Sequence, residues 1–271
     1  MVFQAGQDAA GACAGDGVRK RAMYALKRLF VALLLFPAMS FAAEEVKLDR
    51  APIDLHDVVS LQRGARTFVN YCLSCHSAGY MRYNRLRDIG LTEQQIRDNL
   101  IFGQAKVGDL MKVAMEPKDA KQWFGVAPPD LTIIARARSS HAGSGSDWLY
   151  TYLRSFYRDP SRPTGWNNVV FPNVGMPHVL YELQGVQVLR EEKMPGPGYP
   201  ITEPRLVLDK PGKLSRVEYE RTVADLVNYM TYMSEPVRNT RIVLGMYVLL
   251  ALAVLFVLAY LLKKEYWKDV H

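Results

Sequence analysis

Two cysteines and a histidine stand together in the sequence as Cys72-Leu73-Ser74-Cys75-His76. The spacing Cys-x-x-Cys-His is the attachment pattern for c-type haem. Both thiols can form thioethers with the porphyrin vinyl groups, and the histidine then lies under the iron and offers an imidazole nitrogen. The sequence therefore predicts one covalently bound haem c, attached through Cys72 and Cys75, with His76 as an axial ligand of the iron.

Two other kinds of site use paired cysteines, and both fit this chain less well. A thioredoxin-like dithiol does not need the histidine and occurs in a different sequence context. A structural zinc site needs a fourth nearby ligand, yet the sequence has only three cysteines and no second cysteine pair. The remaining cysteine, Cys13, lies in a segment that we expect to be removed from the mature chain.

The sixth ligand of the iron is expected to be Met176. A methionine thioether raises the reduction potential of a haem and suits electron transfer. Met176 lies in the proline-bounded loop Val174-Gly175-Met176-Pro177, and a rigid loop can present a single side chain to the iron. Other methionines, such as Met230 and Met233, fall on a predicted helix and are expected to fill the core. His178 remains an alternative ligand, because c-type sites also use a second histidine.

The N-terminal region has the features of a secretory signal peptide. An apolar stretch, Leu29–Ala42, follows the basic cluster Arg19–Arg28 and ends in Ser40-Phe41-Ala42, a small-x-Ala cleavage pattern. We predict cleavage after Ala42 and export of the rest of the chain. Whether the chain starts at Met1 or Met23 stays open.

A second apolar stretch near the C-terminus predicts a transmembrane helix. Ile242–Leu262 contains 21 residues without a charge, and about twenty helical residues cross the hydrocarbon core of a bilayer. Lys263, Lys264 and Lys268 follow it and favour a cytoplasmic tail. We therefore expect a single-pass protein of the inner (cytoplasmic) membrane, in contact with membrane lipid. The predicted parts are the signal peptide 1–42, the periplasmic body 43–241, the transmembrane helix 242–262 and the cytoplasmic tail 263–271.

Helical periodicity dominates the predicted body. The segment Pro160–Pro177 is rich in proline, glycine and asparagine and predicts a loop, while 186–188 and 205–208 are expected to pair as a hairpin. The predicted helices are Val58–Tyr71, Thr92–Phe102, Leu131–Ala137, Asp147–Phe156 and Val217–Ser234.

Several motifs make the chain similar to known haem proteins. Gly64, Phe68 and the haem motif resemble the first helix of class I cytochromes c, and Asp225-Leu226-x-x-Tyr229 resembles their last helix. Further segments, in the same order, resemble the cytochrome c1 family over nearly all of residues 50–268. The resemblance implies an all-α, class I cytochrome c-like haem domain with loop insertions and one C-terminal transmembrane helix. The further segments are Tyr83-Asn84-Arg85-Leu86, Ala127-Pro128-Pro129-Asp130-Leu131, Ala135-Arg136-Ala137-Arg138 and Gly175-Met176-Pro177.

The same resemblance implies roles for individual residues. Met176 would be the sixth ligand, and Arg136, with Arg138 near it, would pair with a haem propionate, since a guanidinium matches a carboxylate with two hydrogen bonds. A carbonyl at Pro128 or Pro129 would accept a hydrogen bond from the ligating histidine. The chain departs from the family at Trp148, where a tyrosine is common near the propionate, and the role of this position stays open.

Partners and function are also implied by the resemblance. The haem domain would accept an electron from a Rieske iron–sulfur protein and pass it to a c-type cytochrome. The small residues of the span, such as Gly245 and Ala251, would pack against cytochrome b. The chain would be one subunit of a quinol–cytochrome c reductase, with no catalytic residues of its own.

Other functions remain possible at this stage. One is the haem c subunit of a different respiratory complex, and another is a haem enzyme or gas sensor with an open iron position. A nucleic-acid partner is not expected, because the net charge of +7 is not gathered into a basic, aromatic-rich patch within the exported body.

Overall fold

The computed structural model describes residues 47–195 and 200–270. The predicted signal peptide 1–42, its cleavage site and the choice between Met1 and Met23 lie outside the described residues. Within them, eight α-helices alternate with short strands and long connections. In chain order the helices are α1 Val58–Tyr71, α2 Glu93–Leu100, α3 Pro117–Phe124, α4 Ile134–Ala137, α5 Gly145–Arg154, α6 Tyr181–Gln184, α7 Arg216–Ser234 and α8 Arg238–Tyr266.

The described residues also form six strands, so the all-α prediction is confirmed only in part. The strands make three separate antiparallel pairs, and each pair is a two-stranded sheet. In chain order they are β1 Ala78–Arg82 with β2 Leu110–Met111, β3 Phe156–Arg158 with β4 Trp166–Asn168, and β5 Gly185–Pro195 with β6 Pro200–Pro211.

Helices α1 and α7 cross at the centre of the body. A Cβ atom at Gly64 would lie 2.0 Å from the carbonyl oxygen of Asp225, so only glycine permits this backbone approach. Phe68 and Tyr229 fill the crossing with ring centroids 5.6 Å apart. The guanidinium of Arg63 donates two hydrogen bonds to the Asp225 carboxylate, at 2.5 and 3.0 Å. The crossing fixes where α1 ends, and the haem motif begins there.

Helix starts are set by local capping. Asp57 accepts a hydrogen bond from the N–H of Ser60 at the start of α1. Thr92, Ser144 and Ser215 each form a capping box at the start of α2, α5 and α7. These caps account for helix starts within a few residues of the predicted ones. The periodicity did not predict α3, a two-turn helix at Pro117–Phe124.

The hairpin and the loop in the structure both differ in extent from those predicted from the sequence. The paired strands β5 and β6 run well beyond 186–188 and 205–208, with Val188 opposite Val207. Inside the expected loop Pro160–Pro177, strand β4 pairs with β3 and places Asn168 opposite Phe156. This pairing anchors the loop close to the point where α5 ends.

The C-terminal helix α8 is long and apolar enough to cross a membrane, and it has no buried residue. It extends beyond the predicted span 242–262 at both ends, since polar residues such as Asn239 and Lys264 continue the helix. At its start, Arg241 forms an ion pair with Glu235, which follows α7. A helix whose apolar side chains are all exposed requires a nonaqueous environment or a partner helix.

Candidate haem site

The haem motif occupies the turn that directly follows α1. The N–H of Cys75 and the N–H of His76 both donate to the carbonyl oxygen of Cys72, at 3.1 and 2.9 Å. Cys72 is buried and Cys75 is half-buried, and both thiols are free. The tight turn brings the two sulfur atoms and the imidazole to one side of the chain.

The imidazole of His76 is buried and fixed in one orientation. Its Nδ1 atom lies 2.8 Å from the carbonyl oxygen of Pro129. Because a carbonyl only accepts, the proton is on Nδ1 and the lone pair is on Nε2. Burial lowers the pKa of His76, against the opposing effect of the Pro129 carbonyl. The neutral ring can therefore offer the lone pair of its Nε2 atom to a metal ion.

The segment that supplies this carbonyl is itself tied to the haem motif. The N–H of Leu131 donates to the carbonyl oxygen of Ser77 at 2.8 Å. The carboxylate of Asp130 accepts from the N–H of Gly79 at 2.6 Å. These two bonds hold residues 129–131 alongside the chain that follows the histidine.

A cavity of about 370 Å³ opens beside the motif. This is within the size range of small-molecule and cofactor sites, and the walls are mainly apolar, as a porphyrin requires. Cys72, Cys75, His76 and Met176 all line it and match the donor set of a c-type haem. The residues present therefore fit the group. Beyond those four, the lining includes Pro129, Leu131, Arg138, Trp148, Tyr152 and Met230.

Met176 lies at this cavity with its sulfur atom in a defined contact. The hydroxyl of Tyr152 donates a hydrogen bond to the Met176 sulfur at 3.4 Å. Tyr152 is buried at the end of α5, and burial raises the pKa of its phenol, so the group remains a donor. The structure thus brings Met176 and His76, the two predicted axial ligands, to the same cavity.

The two candidate arginines are placed differently. Arg138 lines the cavity, and its guanidinium lies 4.5 Å from the centroid of the Trp148 ring and 5.4 Å from that of Phe171. Arg136 is exposed and is not among the cavity residues. Trp148 in turn stacks on Tyr152 with a centroid distance of 4.7 Å. Arg138 is therefore the arginine that can reach a group in the cavity.

His178, the alternative ligand, is directed elsewhere. It is 3% exposed, stacks on Phe156 at 4.8 Å with the rings nearly parallel, and meets Trp166 edge-on at 5.2 Å. It is not one of the residues that line the cavity. This histidine is an aromatic core residue next to the methionine loop.

Sequence reasoning missed two residues at this site. Tyr152 lies four positions after Trp148, so a helical wheel would have placed both on one face. Asn168 lies in a segment whose composition predicts only a loop, and nothing in its neighbours indicates that it is fully buried.

A model of the cytochrome c1 family matches residues 49–270. The chain belongs to the cytochrome c1 family. It is 54% identical over 250 residues to "Ammonia monooxygenase gamma subunit" of Nitrosomonas europaea, which covers 92% of this chain and 100% of that protein. It is 52% identical over 250 residues to "Cytochrome c1" of Allochromatium vinosum, covering 91% of this chain and 100% of that protein. A cytochrome c1 of Rhodospirillum rubrum is 27% identical over 79% of this chain and 83% of that protein.

Family membership confirms the resemblance to bacterial cytochromes c1. Members of this family carry one covalently bound haem c, and the cavity with its two free cysteines fits that cofactor. The chain is therefore a haem c electron carrier of the type found in the cytochrome bc1 complex.

Proposed function

We propose that this chain is the membrane-anchored haem subunit of a quinol–cytochrome c reductase. It accepts electrons from a Rieske iron–sulfur protein and passes them to a c-type cytochrome. The observation that carries the proposal is that Cys72, Cys75, His76 and Met176 all line one cavity. The haem supplies a one-electron redox centre, and the chain supplies its attachment, its ligands and its surroundings.

Each residue of this set has a separate part in the proposal. Cys72 and Cys75 hold the haem by thioethers, and His76 binds the iron through Nε2 while the Pro129 carbonyl fixes its ring. Met176 binds through its thioether sulfur, which favours a high reduction potential. The crossing of the first and last body helices supports a class I cytochrome c core within the larger domain.

Arg138 is the residue we propose as the partner of a haem propionate. Its guanidinium is stacked on Trp148 and therefore keeps its planar donors free at the cavity. Trp148 stands where relatives often have a tyrosine, and here it would orient the arginine instead of donating a hydrogen bond. The exposed position of Arg136 does not support the same role for it.

The membrane arrangement is also part of the proposal. Residues 1–42 would direct export, 43–241 would form the periplasmic haem domain, and 263–271 would remain in the cytoplasm. Residues 242–262 would span the bilayer, in contact with lipid and with cytochrome b. The wholly exposed apolar surface of α8 supports this arrangement, because such a helix is stable in lipid and not in water.

A second candidate is a haem c subunit of a different membrane oxidoreductase. Two relatives of nearly equal identity cover their full lengths but have different printed names, one a cytochrome c1 and one a gamma subunit of ammonia monooxygenase. The same cavity residues would serve an electron carrier in either complex. An enzyme or sensor with an open iron position is less well supported, since Met176 and its Tyr152 contact lie at the cavity.

The identity of the co-purified subunits separates these candidates. The complex is extracted from membranes in mild detergent through a tag on the C-terminal tail, and the bound proteins are identified. We expect cytochrome b and a Rieske protein, with quinol–cytochrome c reductase activity in the eluate. A matched chain truncated after Arg238, with the tag fused at its new C-terminus, should retain its haem spectrum and lose both partners. Recovery of a monooxygenase in place of these partners would favour the second candidate.

A further inference from the structure

A fully buried asparagine lies at the base of the loop that carries Met176. Asn168 is 0% exposed and is the last residue of β4. Its side-chain oxygen accepts hydrogen bonds from the N–H groups of Val170 and Phe171, at 2.9 and 3.1 Å. Both donors belong to the first residues of the loop. One side chain therefore holds the start of the loop in a tight turn.

The other end of the same amide is bonded to α5. The Nδ2 atom of Asn168 donates to the carbonyl oxygen of Tyr152 at 2.8 Å. The hydroxyl of Ser155, the residue that follows α5, lies 3.2 Å from Oδ1 and 3.3 Å from the same carbonyl, and donates its proton to one of the two. Backbone N–H groups can only donate and a carbonyl can only accept, so this network allows one orientation of the amide. Asn168 thus joins the methionine loop to the C-terminal end of α5.

Tyr152 is the shared partner of Asn168 and Met176. Its carbonyl accepts from Asn168, and its hydroxyl donates to the Met176 sulfur at 3.4 Å. A shift of the loop relative to α5 would therefore change the position of the sulfur relative to the cavity. The amide of Asn168 opposes such a shift, together with the hydrogen bond from the N–H of Val169 to the carbonyl oxygen of Ser155 at 3.2 Å.

The rest of the loop is fixed just as closely. Asn167 accepts from the N–H of Asn173 at 2.8 Å, and Asn173 has a positive φ of 63°. Arg162 donates to the side chain and to the carbonyl of Asn173, at 3.1 and 3.0 Å. A non-glycine residue with positive φ persists only where its surroundings hold it. The segment between β4 and Met176 is therefore held in one conformation by its own hydrogen bonds.

We propose that Asn168 is a positioning residue for the Met176 thioether. Its amide holds the loop against α5, so that the sulfur stays within bonding distance of the haem iron in both oxidation states. This inference rests on the proposed function, in which Met176 is the sixth ligand. Without the amide, two loop N–H groups lose their acceptor and the Tyr152 carbonyl loses one of its donors, so the start of the loop is held less firmly against α5.

The test compares Asn168→Ala with Asn228→Ala in the full-length holoprotein. Asn228 is a matched control, because it is 1% exposed and bonds to Asp54 and Ser60, neither of which lines the cavity. Both substitutions remove a buried amide that is hydrogen-bonded through its oxygen and its nitrogen. We expect the unfolding midpoint in urea to fall in both variants, and haem attachment to persist in both.

The decisive readouts are the red-edge band of the oxidised protein, which reports an iron–thioether bond, and carbon monoxide binding to the reduced protein. In Asn168→Ala we expect the band to be lost or weakened and carbon monoxide affinity to rise about tenfold or more. In Asn228→Ala the red-edge band and the carbon monoxide affinity should both equal those of the parent. Equal behaviour of the two variants would show that Asn168 contributes only general stability and would overturn the proposal.

Two further variants separate the role of Asn168 from the assignment of Met176 as a ligand. Met176→Leu sets the reference for a missing thioether; if it retains the band, the ligand assignment of the proposed function fails. If Met176→Leu loses the band and Asn168→Ala keeps it, only the role of Asn168 fails. Asn168→Asp retains the acceptor oxygen and loses the donor to Tyr152, and should bind carbon monoxide more tightly than the parent. If neither Asn168 variant accumulates while Asn228→Ala does, the residue serves the whole fold and the proposal is overturned.

Discussion

The hydroxyl of Tyr152 donates a hydrogen bond to the sulfur atom of Met176 across 3.4 Å. The donor is on the last turn of α5 and the acceptor is on the loop that follows β4, so the bond joins two elements at the cavity. The positive end of the O–H dipole points at the sulfur. In the proposed site, this contact favours the iron state of lower positive charge, which is the reduced one.

Replacing Tyr152 with phenylalanine should lower the reduction potential. The variant keeps the aromatic ring, and with it the stacking on Trp148, but removes the O–H dipole. A hydrogen bond of this kind contributes about 0.5–1.5 kcal/mol, which for a one-electron couple corresponds to about 20–60 mV. The measurement is a spectroelectrochemical titration of the purified protein.

Tyr150→Phe is the control for this change. Tyr150 lies on the same helix and is buried, but it is not among the cavity residues. Tyr150→Phe should therefore have the same reduction potential as the parent protein. A rise in the potential of Tyr152→Phe, or an equal fall in both variants, would contradict the assigned contact.

Arg138 and Arg136 form a second matched pair. Arg138→Gln should lower the reduction potential, since it removes a positive charge beside the cavity that favours the reduced state. A shift on the order of 30–60 mV is expected for a partly screened charge. Arg136→Gln should change the potential little, because Arg136 is exposed and lies away from the cavity lining. The opposite ranking of the two variants would restore Arg136 as the propionate partner.

His178 makes the stability of the protein depend on pH. Burial lowers its pKa from 6.5 to about 4, although Gln184 acts in the opposite direction. Between these pH values the unfolded chain binds a proton at His178 and the folded chain does not. The free energy of unfolding should therefore fall as the pH drops from about 6.5 to about 4, by roughly 2–4 kcal/mol from this residue.

The variant His178→Phe isolates this contribution. A phenyl ring can keep the parallel contact with Phe156 and cannot take up a proton. Urea unfolding of parent and variant is compared at several pH values from about 7 to about 4.5. The variant should gain stability relative to the parent as the pH falls. A difference that does not change with pH would mean that His178 binds its proton equally in the folded and the unfolded chain, and would contradict the lowered pKa.

The sequence was most informative where chemistry and spacing coincide. The haem motif and the apolar C-terminal helix were predicted from residue type and position, and the family resemblance singled out the glycine that lies at the helix crossing. Gly64 illustrates the reason: the close approach of two backbones leaves no space for a side chain, so the constraint acts on one residue and is visible there. Predicted helices matched well where a capping residue marks the start.

The features that the sequence did not predict depend on contacts between segments that are distant along the chain. Arg136 and Arg138 are two positions apart, and the sequence could not indicate which one faces the cavity, because that depends on how a single-turn helix is packed. The strands β3 and β4 were missed since each has three residues and little alternation. The role of Asn168 depends on hydrogen bonds to Tyr152, sixteen positions earlier, and no local pattern reports such a bond.

In the proposed site, His76 and Met176 bind the iron from one cavity. X-ray absorption at the iron edge of the oxidised and reduced protein tests this ligation most directly, because sulfur and nitrogen neighbours scatter differently. We expect one sulfur neighbour in both oxidation states of the parent, its loss in Met176→Leu, and its retention in His178→Phe. Two results would contradict this ligation. One is a parent protein in which the iron has only nitrogen neighbours. The other is an axial ligand that is lost in His178→Phe and kept in Met176→Leu.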